Sequence, residues 1–246
     1  MKEKEMIFGI RAVLEAIEAG KEIDKVIVRR ELQGDLSKEL FAALKLQDIP
    51  VQRVPMERLD RFTRKNHQGV IAFLSAITYD RIEDIVPFLY ENGEDPFILV
   101  LDGITDVRNF GAIARTCEVA GVNAIVIPAK GSVTVNADAI KTSAGALLKI
   151  PVCKEQNLTA AIQFLKNSGI NVIAATERGA DVYTEVDYSG PVAFVMGAED
   201  TGVSNDNLRI ADKLVKIPQF GTIGSLNVSV AAGVLIYEVI RQKSLK

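Results

Sequence analysis

The chain is poor in the residues that build several common sites. It has 2 cysteines and 1 histidine among 246 residues. Cys117 and Cys153 are too few for a disulfide framework and lack CxxC spacing. One histidine, His67, and two distant cysteines cannot make a conventional zinc site, so no metal is expected. There is no G-x-S-x-G elbow and His67 lies in the other half of the chain, which argues against a serine-hydrolase triad. No apolar run approaches the ~18 residues needed to span a bilayer. The N-terminal MKEKEMIFGIRAVLEAI carries acidic residues among its lysines, unlike a signal peptide. A soluble cytoplasmic protein with no membrane partner is the expectation. No GxGxxG follows the first strand of either half, and GAEDTG at 197–202 runs into Val203-Ser204 instead of Lys-Ser/Thr. Dinucleotide-binding and P-loop readings are both weak on that account.

What is present suits a folded protein. The chain is 48% hydrophobic and 25% charged, enough to bury a core in one large domain or two smaller ones. The net charge of -3 argues against a nucleic-acid coat protein. That average hides an asymmetry. Residues 1–75 carry 14 Lys and Arg against 12 Asp and Glu, and the remainder 15 against 20. The basic excess gathers at Arg53, Arg58, Arg61, Arg64 and Lys65. Two readings stand: a local polyanion contact, or a solvated basic helix face.

Periodicity divides the chain. Ile10, Val13, Leu14 and Ile17 fall at helical spacing, and Gly20 is a stop. KVIVRR is a short strand, LSKELFAALKLQD a helix, VQRVP a strand, Met56–Phe62 a helix and GVIAFLSA a strand. The acidic tract 76–94, with one short helix near Ile82–Tyr90, is the expected linker. Beyond it, strands and helices alternate from FILVLDGI to a last helix NVSVAAGVLIYEVIRQK. Such alternation implies a parallel sheet flanked by helices. Ligands in such sheets sit at the C-terminal strand ends, which selects the loops after Leu101, Ala175, Met196 and Ile217.

Three stretches carry the candidate chemistry. In DGITDVRNFGAIART, Asn109 sits at a strand-to-helix junction and Arg115 follows nearly two helical turns later. Asn109 is either an N-cap or a functional side chain, and Arg115 either a surface cation or a ligand for an anion. In FVMGAEDTGVS, the glycines allow close backbone approach to a ligand, or the stretch is an ordinary turn capped by Asp200 or Ser204. In IPQFGTIGSLNVSVAAG, Ser225 or Asn227 can cap the last helix. The run Ser229, Ala231, Ala232, Gly233 implies tight packing, either on the sheet, at a constricted chain crossing or at a dimer seam.

Together these stretches resemble the signature motifs of the SpoU-type (TrmH-like) RNA ribose 2'-O-methyltransferases of the SPOUT class. The matching runs are Asn109–Arg115, Met196–Val203, and Ile217-Pro218 with Gly224–Ser229. Residues 1–75, including NHQGV, look like the small substrate-binding domain of the same family. The resemblance implies an α/β parallel-sheet catalytic domain at 95–246 with a C-terminal trefoil knot, an exception to ordinary topology. It also implies an L30e-like α/β RNA-binding domain at 1–75, joined by the 76–94 linker. S-adenosylmethionine is the implied methyl donor, held by Thr176, Gly197, Ile217 and Leu226. The implied catalytic set is Asn109, Arg115, Glu199, Ser225 and Asn227. Arg53, Arg61, Arg64 and Lys65 are the implied RNA contacts, and a homodimer is the implied assembly.

Methylating a ribose 2'-hydroxyl is a displacement at a sulfonium methyl, and the weak partner is the hydroxyl. By resemblance Arg115 answers that weakness. A guanidinium holds its proton tightly and is a poor base. It either stabilises the developing oxyanion beside a phosphate or relays a phosphate-assisted deprotonation. Asn109 and Glu199 would hold Arg115 or RNA, while Ser225 and Asn227 would bind substrate or shape the cofactor loop. The leading expectation is methylation of a guanosine ribose in 23S rRNA. A tRNA D-loop guanosine enzyme, an rRNA adenosine enzyme of antibiotic resistance and a non-catalytic ribosome-assembly protein are the alternatives.

Overall fold

A computed structural model describes residues 6–244. The chain forms two compact units. The first runs to Thr78 and takes in Thr134–Ala137; the second holds Tyr79–Val133 and the chain from Asp138 onward.

The first unit is built on a four-stranded sheet. Strands β1 (Met6–Phe8), β2 (Ile23–Arg29), β3 (Val51–Val54) and β4 (Val70–Leu74) lie in the order β1-β4-β2-β3. β4 runs antiparallel to both β1 and β2, while β2 and β3 are parallel. Helices α1 (Ile10–Glu18) and α2 (Asp35–Leu46) bury Val13, Ile17, Leu40 and Leu44 with Val26, Val28, Val70 and Ala72. A smaller cluster on the opposite face joins Ile27, Ile71 and Phe73 to Leu59 of the short α3 (Met56–Asp60). The alternation Val26/Val28 against Ile27 is the period-two pattern of a strand with both faces covered.

In the second unit seven strands are parallel, in the order β7-β6-β5-β10-β8-β11-β9. These are β5 (Phe97–Asp102), β6 (Ala124–Pro128), β7 (Val152–Glu155), β8 (Asn171–Ala175), β9 (Asp181–Val182), β10 (Val192–Gly197) and β11 (Lys213–Lys216). Phe97 to Leu101 and Val192 to Met196 are all buried. Continuous burial is what a central parallel strand with helices on both sides requires. β5 and β10 are neighbours, with Asp102 opposite Gly197, so the chain leaves both strands at one edge of the sheet. The flanking helices include α4 (Ile82–Glu91), α5 (Val107–Val119), α6 (Ala137–Thr142), α7 (Leu158–Asn167), α8 (Asn205–Ile210) and α9 (Val228–Lys243).

The tract 76–94 differs from the linker expectation. Its helix α4 places Ile82, Val86 and Leu89 in the core of the second unit. Their i, i+4, i+7 spacing puts them on one face, and burying each contributes roughly 1.5–3 kcal/mol. The edge strand β7 and the very short β1 and β9 are absent from the sequence reading. The small-residue run near the start of α9 is only partly a close crossing: Ala232 is buried, but a Cβ on Gly233 would meet nothing within 4 Å. The end of α9 is pinned. Gln242 accepts a hydrogen bond from Tyr188 N at 2.8 Å and donates to Val186 O at 2.9 Å.

Candidate active site

The site grows from the shared edge of β5, β10, β8 and β11. The loop after β5 enters α5, whose N-cap is Asp106; its carboxylate accepts from Arg108 N at 2.8 Å and Asn109 N at 2.9 Å. Capping is therefore done by Asp106, and the Asn109 side chain is released for another role. Its Nδ2 donates to Glu199 Oε1 at 3.2 Å. Glu199 stands in the loop that leaves β10, and the same Oε1 accepts from Val228 N at 3.3 Å. Asn227 completes the cluster. Its Nδ2 donates to Asn109 Oδ1 at 3.0 Å and to Glu199 Oε1 at 2.5 Å. Asn227 also caps α9, accepting from Ser229 N at 3.0 Å and Ser229 Oγ at 2.6 Å. Three of the expected catalytic side chains thus form one network between helix starts, where unsatisfied N–H groups favour carboxylate and other acceptors.

The loop after β10 is held from below. Asp102, at the end of β5, accepts from Ser204 N and from Asn207 Nδ2, both at 2.8 Å. Asn207 Oδ1 in turn accepts from Thr159 Oγ1 at 2.8 Å. Ser204 precedes α8 without a side-chain cap bond, so neither it nor Asp200 caps that helix with its side chain. Gly202 N donates to Ala198 O at 2.8 Å and closes the loop on itself. That closure brings chain so near Gly197 that a Cβ there would lie 1.9 Å from Gly202 C and 2.0 Å from Val203 N. Only glycine fits.

Beside this network is a cavity of about 500 Å³. Its wall includes Thr176, Gly197, Ile217 and Leu226, the four residues expected to hold a cofactor, together with Ser225 and Glu199. Met196, Val203, Leu208 and Val215 give it an apolar side, and Glu177, Arg178 and Asp200 give it charge. Three carboxylates against one guanidinium suit a cation, and the volume suits a nucleoside-sized ligand. A sulfonium-bearing adenosine therefore fits the residues present. Glu177, Arg178, Asp102 and Asn207 were not singled out from the sequence. The first two adjoin Thr176 at the strand end already selected, but nothing in the sequence couples Asp102 to partners about a hundred positions away.

Arg115 is exposed on α5 and lies outside the cavity wall. The loop after β5 likewise reaches the site through Asn109 and not through the cavity lining. Among the described residues, no group of three His, Cys, Asp or Glu side chains is placed to hold a metal ion. Among the same residues, no helix is long and apolar enough to cross a membrane. Both cysteines are free and buried, and burial pushes their thiols well above the ordinary range.

In the first unit the basic residues are surface groups. Arg61, Arg64 and Lys65 are exposed around the end of α3 and the loop after it. Arg53 is more committed: it donates to Arg30 O at 3.2 Å and lies over the Phe41 ring at 4.7 Å. The loop is closed beneath by His67, only 4% exposed, which bonds Asp60 at 3.0 Å through Nε2 and accepts from Gly69 N at 3.1 Å through Nδ1.

Residues 96–237 match the model of the SpoU rRNA Methylase family, more than half of the chain. The chain belongs to the SpoU rRNA methylase family. Residues 6–80 match a second model, RNA 2'-O ribose methyltransferase substrate binding. The SpoU chain is 32% identical over 243 residues to a Bacillus subtilis (strain 168) protein named as a TrmH family tRNA/rRNA methyltransferase, YacO; the match spans 99% of this chain and 98% of that one. Among solved structures, an AdoMet-bound rRNA methyltransferase from Sinorhizobium meliloti is 26% identical, with a TM-score of 0.61, over 96% of this chain and 87% of that one. A TrmH/SpoU tRNA modifying enzyme from A. aeolicus is 33% identical, with a TM-score of 0.57, over 67% of this chain and 85% of that one. The SpoU chain is thus an RNA 2'-O-methyltransferase of the TrmH/SpoU type, on the parallel α/β fold read from the sequence.

Proposed function

We propose that this protein methylates a guanosine ribose 2'-hydroxyl in 23S rRNA, as a cytoplasmic homodimer with a knotted catalytic unit. S-adenosylmethionine is the methyl donor. The observation that carries the reading is the Asn109–Glu199–Asn227 network at the rim of a nucleoside-sized cavity. Thr176, Gly197, Ile217 and Leu226 hold the donor, which supplies an electrophilic methyl when bound.

The rest of the task falls to the chain's own residues. Glu199 fixes Asn109 and the start of α9, so the two helix ends and the β10 loop move as one body. Preorganised alignment of this kind lowers the barrier to an in-line displacement. Arg115 approaches the substrate as a fixed cation: it holds the phosphate beside the target and stabilises negative charge growing on the 2'-oxygen. Ser225 contacts the same nucleotide. Arg53, Arg61, Arg64 and Lys65 grip the RNA backbone elsewhere, so a chain of net charge -3 binds RNA through local patches.

One observation favours ribosomal RNA over tRNA: the S. meliloti rRNA methyltransferase matches 96% of this chain, whereas the A. aeolicus tRNA modifying enzyme matches 67% of it. Ribose-methylation mapping of total RNA, with and without the gene, tests the assignment. Loss of one guanosine methyl in 23S rRNA is expected. A lost tRNA methyl would transfer the assignment to tRNA, and an unchanged map would overturn it.

A further inference from the structure

The loop between β11 and α9 carries apolar surface that the reaction described above does not use. Every residue from Pro218 to Asn227 is exposed; Phe220 is 98% exposed and Ile223 81%. The loop is tethered at both ends. Ile217 belongs to the cavity wall, and Asn227 is bound to Asn109 and Glu199. Between the tethers, Gly221 and Gly224 have no positive φ and no atom within 4 Å of an added Cβ. No tight turn or close approach demands them, and their effect is to leave the backbone free to re-aim.

Gln219, Ser225 and Leu226 line the cavity, whereas Phe220 and Ile223 do not. A ligand that fills the cavity leaves the Phe220 ring uncovered. We propose that Phe220 is a stacking platform for a base of the RNA substrate, at or beside the methylated nucleotide. The proposal rests on the RNA methyltransferase reading and adds a contact that the three motifs do not assign: Phe220 falls in the gap between the two halves of the third. The occupant follows from continuity with the site. A nucleotide that presents its ribose at the Asn109–Glu199–Asn227 network carries bases within reach of a loop tethered to Asn227. Every base has a flat π face, and unpaired bases splayed from RNA stack on aromatic side chains. Ile223 adds an apolar edge to the same platform.

The chain contains no tryptophan, so Phe220→Trp installs a single indole on the loop. Titration with unmodified transcripts of 23S rRNA and of tRNA should quench its emission as the RNA binds, while AdoMet alone leaves it unchanged. Phe220→Ala should weaken RNA binding ~5- to 150-fold, the range for loss of one base–aromatic stack. Phe220→Tyr should restore it, and Phe220→Leu should not. AdoMet affinity and the oligomeric state should stay at wild-type values in all four variants. Unchanged RNA affinity in Phe220→Ala overturns the proposal, as does an indole emission that shifts blue with protein concentration in the absence of RNA, which would place the ring against a second chain. Wild-type transfer assays on the same transcripts separate the two levels. If the wild type methylates neither RNA, the functional reading fails; if it methylates one and the indole is not quenched, only the stacking fails.

Discussion

Asn109 and Asn227 stand 118 positions apart in the chain and meet side chain to side chain, with Asn227 Nδ2 donating to Asn109 Oδ1 at 3.0 Å. Glu199 is the acceptor that both amides share. Each amide has one orientation that satisfies this arrangement, because the carboxylate can only accept. The three residues therefore fix the relation between the starts of α5 and α9.

Glu199→Ala removes the one oxygen that accepts from Asn109 Nδ2, Asn227 Nδ2 and Val228 N. The expected loss of stability is small, about 1 kcal/mol, since much of the cluster is exposed to water. The expected loss of kcat is ~100-fold, because misplacing aligned groups costs far more than the bonds themselves. Urea unfolding and steady-state methyl transfer check the two halves. Equal activity in Glu199→Ala and wild type would remove the network from the mechanism.

Gly197→Ala is a steric prediction. The added methyl would overlap Gly202 and Val203 backbone, neither of which can rotate away. The β10 loop must shift, at about 1–3 kcal/mol or more. Calorimetry should show a lower Tm, and titration with AdoMet should show at least a ~10-fold weaker Kd, since the shifted loop is the cavity wall.

Much of the second unit could be read in advance, because long buried runs such as Phe97–Leu101 and Val192–Met196 admit few other conformations. β7 was missed because Val152-Cys153-Lys154-Glu155 is short and half charged, as an edge strand can be. β1 and β9, of 3 and 2 residues, carry no period to detect. Within the site, Asn109, Glu199 and Asn227 were found through likeness to family motifs. Their hydrogen bonds depend on which strands are neighbours, and sheet order is not written in local patterning. The same holds for Asp102, whose partners Ser204 and Asn207 are legible only once β5 lies beside β10. The N-cap ambiguity at Asn109 was settled by Asp106, three residues earlier, where cap and acidic side chain coincide.

Glu238 gives the stability a defined pH dependence. It is buried on α9, and hydrogen bonds from the Arg241 side chain hold its carboxyl below the ordinary value of 4.5, with Gln242 assisting against desolvation. A carboxyl depressed in the folded state stabilises the fold above its unfolded pKa, and that contribution fades as pH falls through the folded pKa. The stability gap between wild type and Glu238→Gln should hold from pH 7 to about 5 and close progressively below about 4.5. Urea midpoints across that range measure it. A gap that stays undiminished as the pH falls well below 4.5 would contradict the pairing.

The basic loop of the first unit predicts a salt effect. Replacing Arg61, Arg64 and Lys65 together with alanine removes three exposed cations. The slope of log K against log salt for RNA binding should become shallower by about 2 to 3, at 0.7–0.9 per phosphate contact. AdoMet binding should not change. An unchanged salt slope would take these residues out of the RNA interface.

The most direct test of the whole account follows the transferred methyl. A ribose 2'-O-methyl removes the nucleophile that cleaves RNA in alkali, so the product carries its label in alkali-resistant dinucleotides. With labelled AdoMet and unmodified 23S rRNA, the wild type should place its label there, and Arg115→Ala should place none while binding AdoMet as tightly as the wild type. Label recovered in mononucleotides, or more than a few per cent of the wild-type rate in Arg115→Ala, would contradict the account.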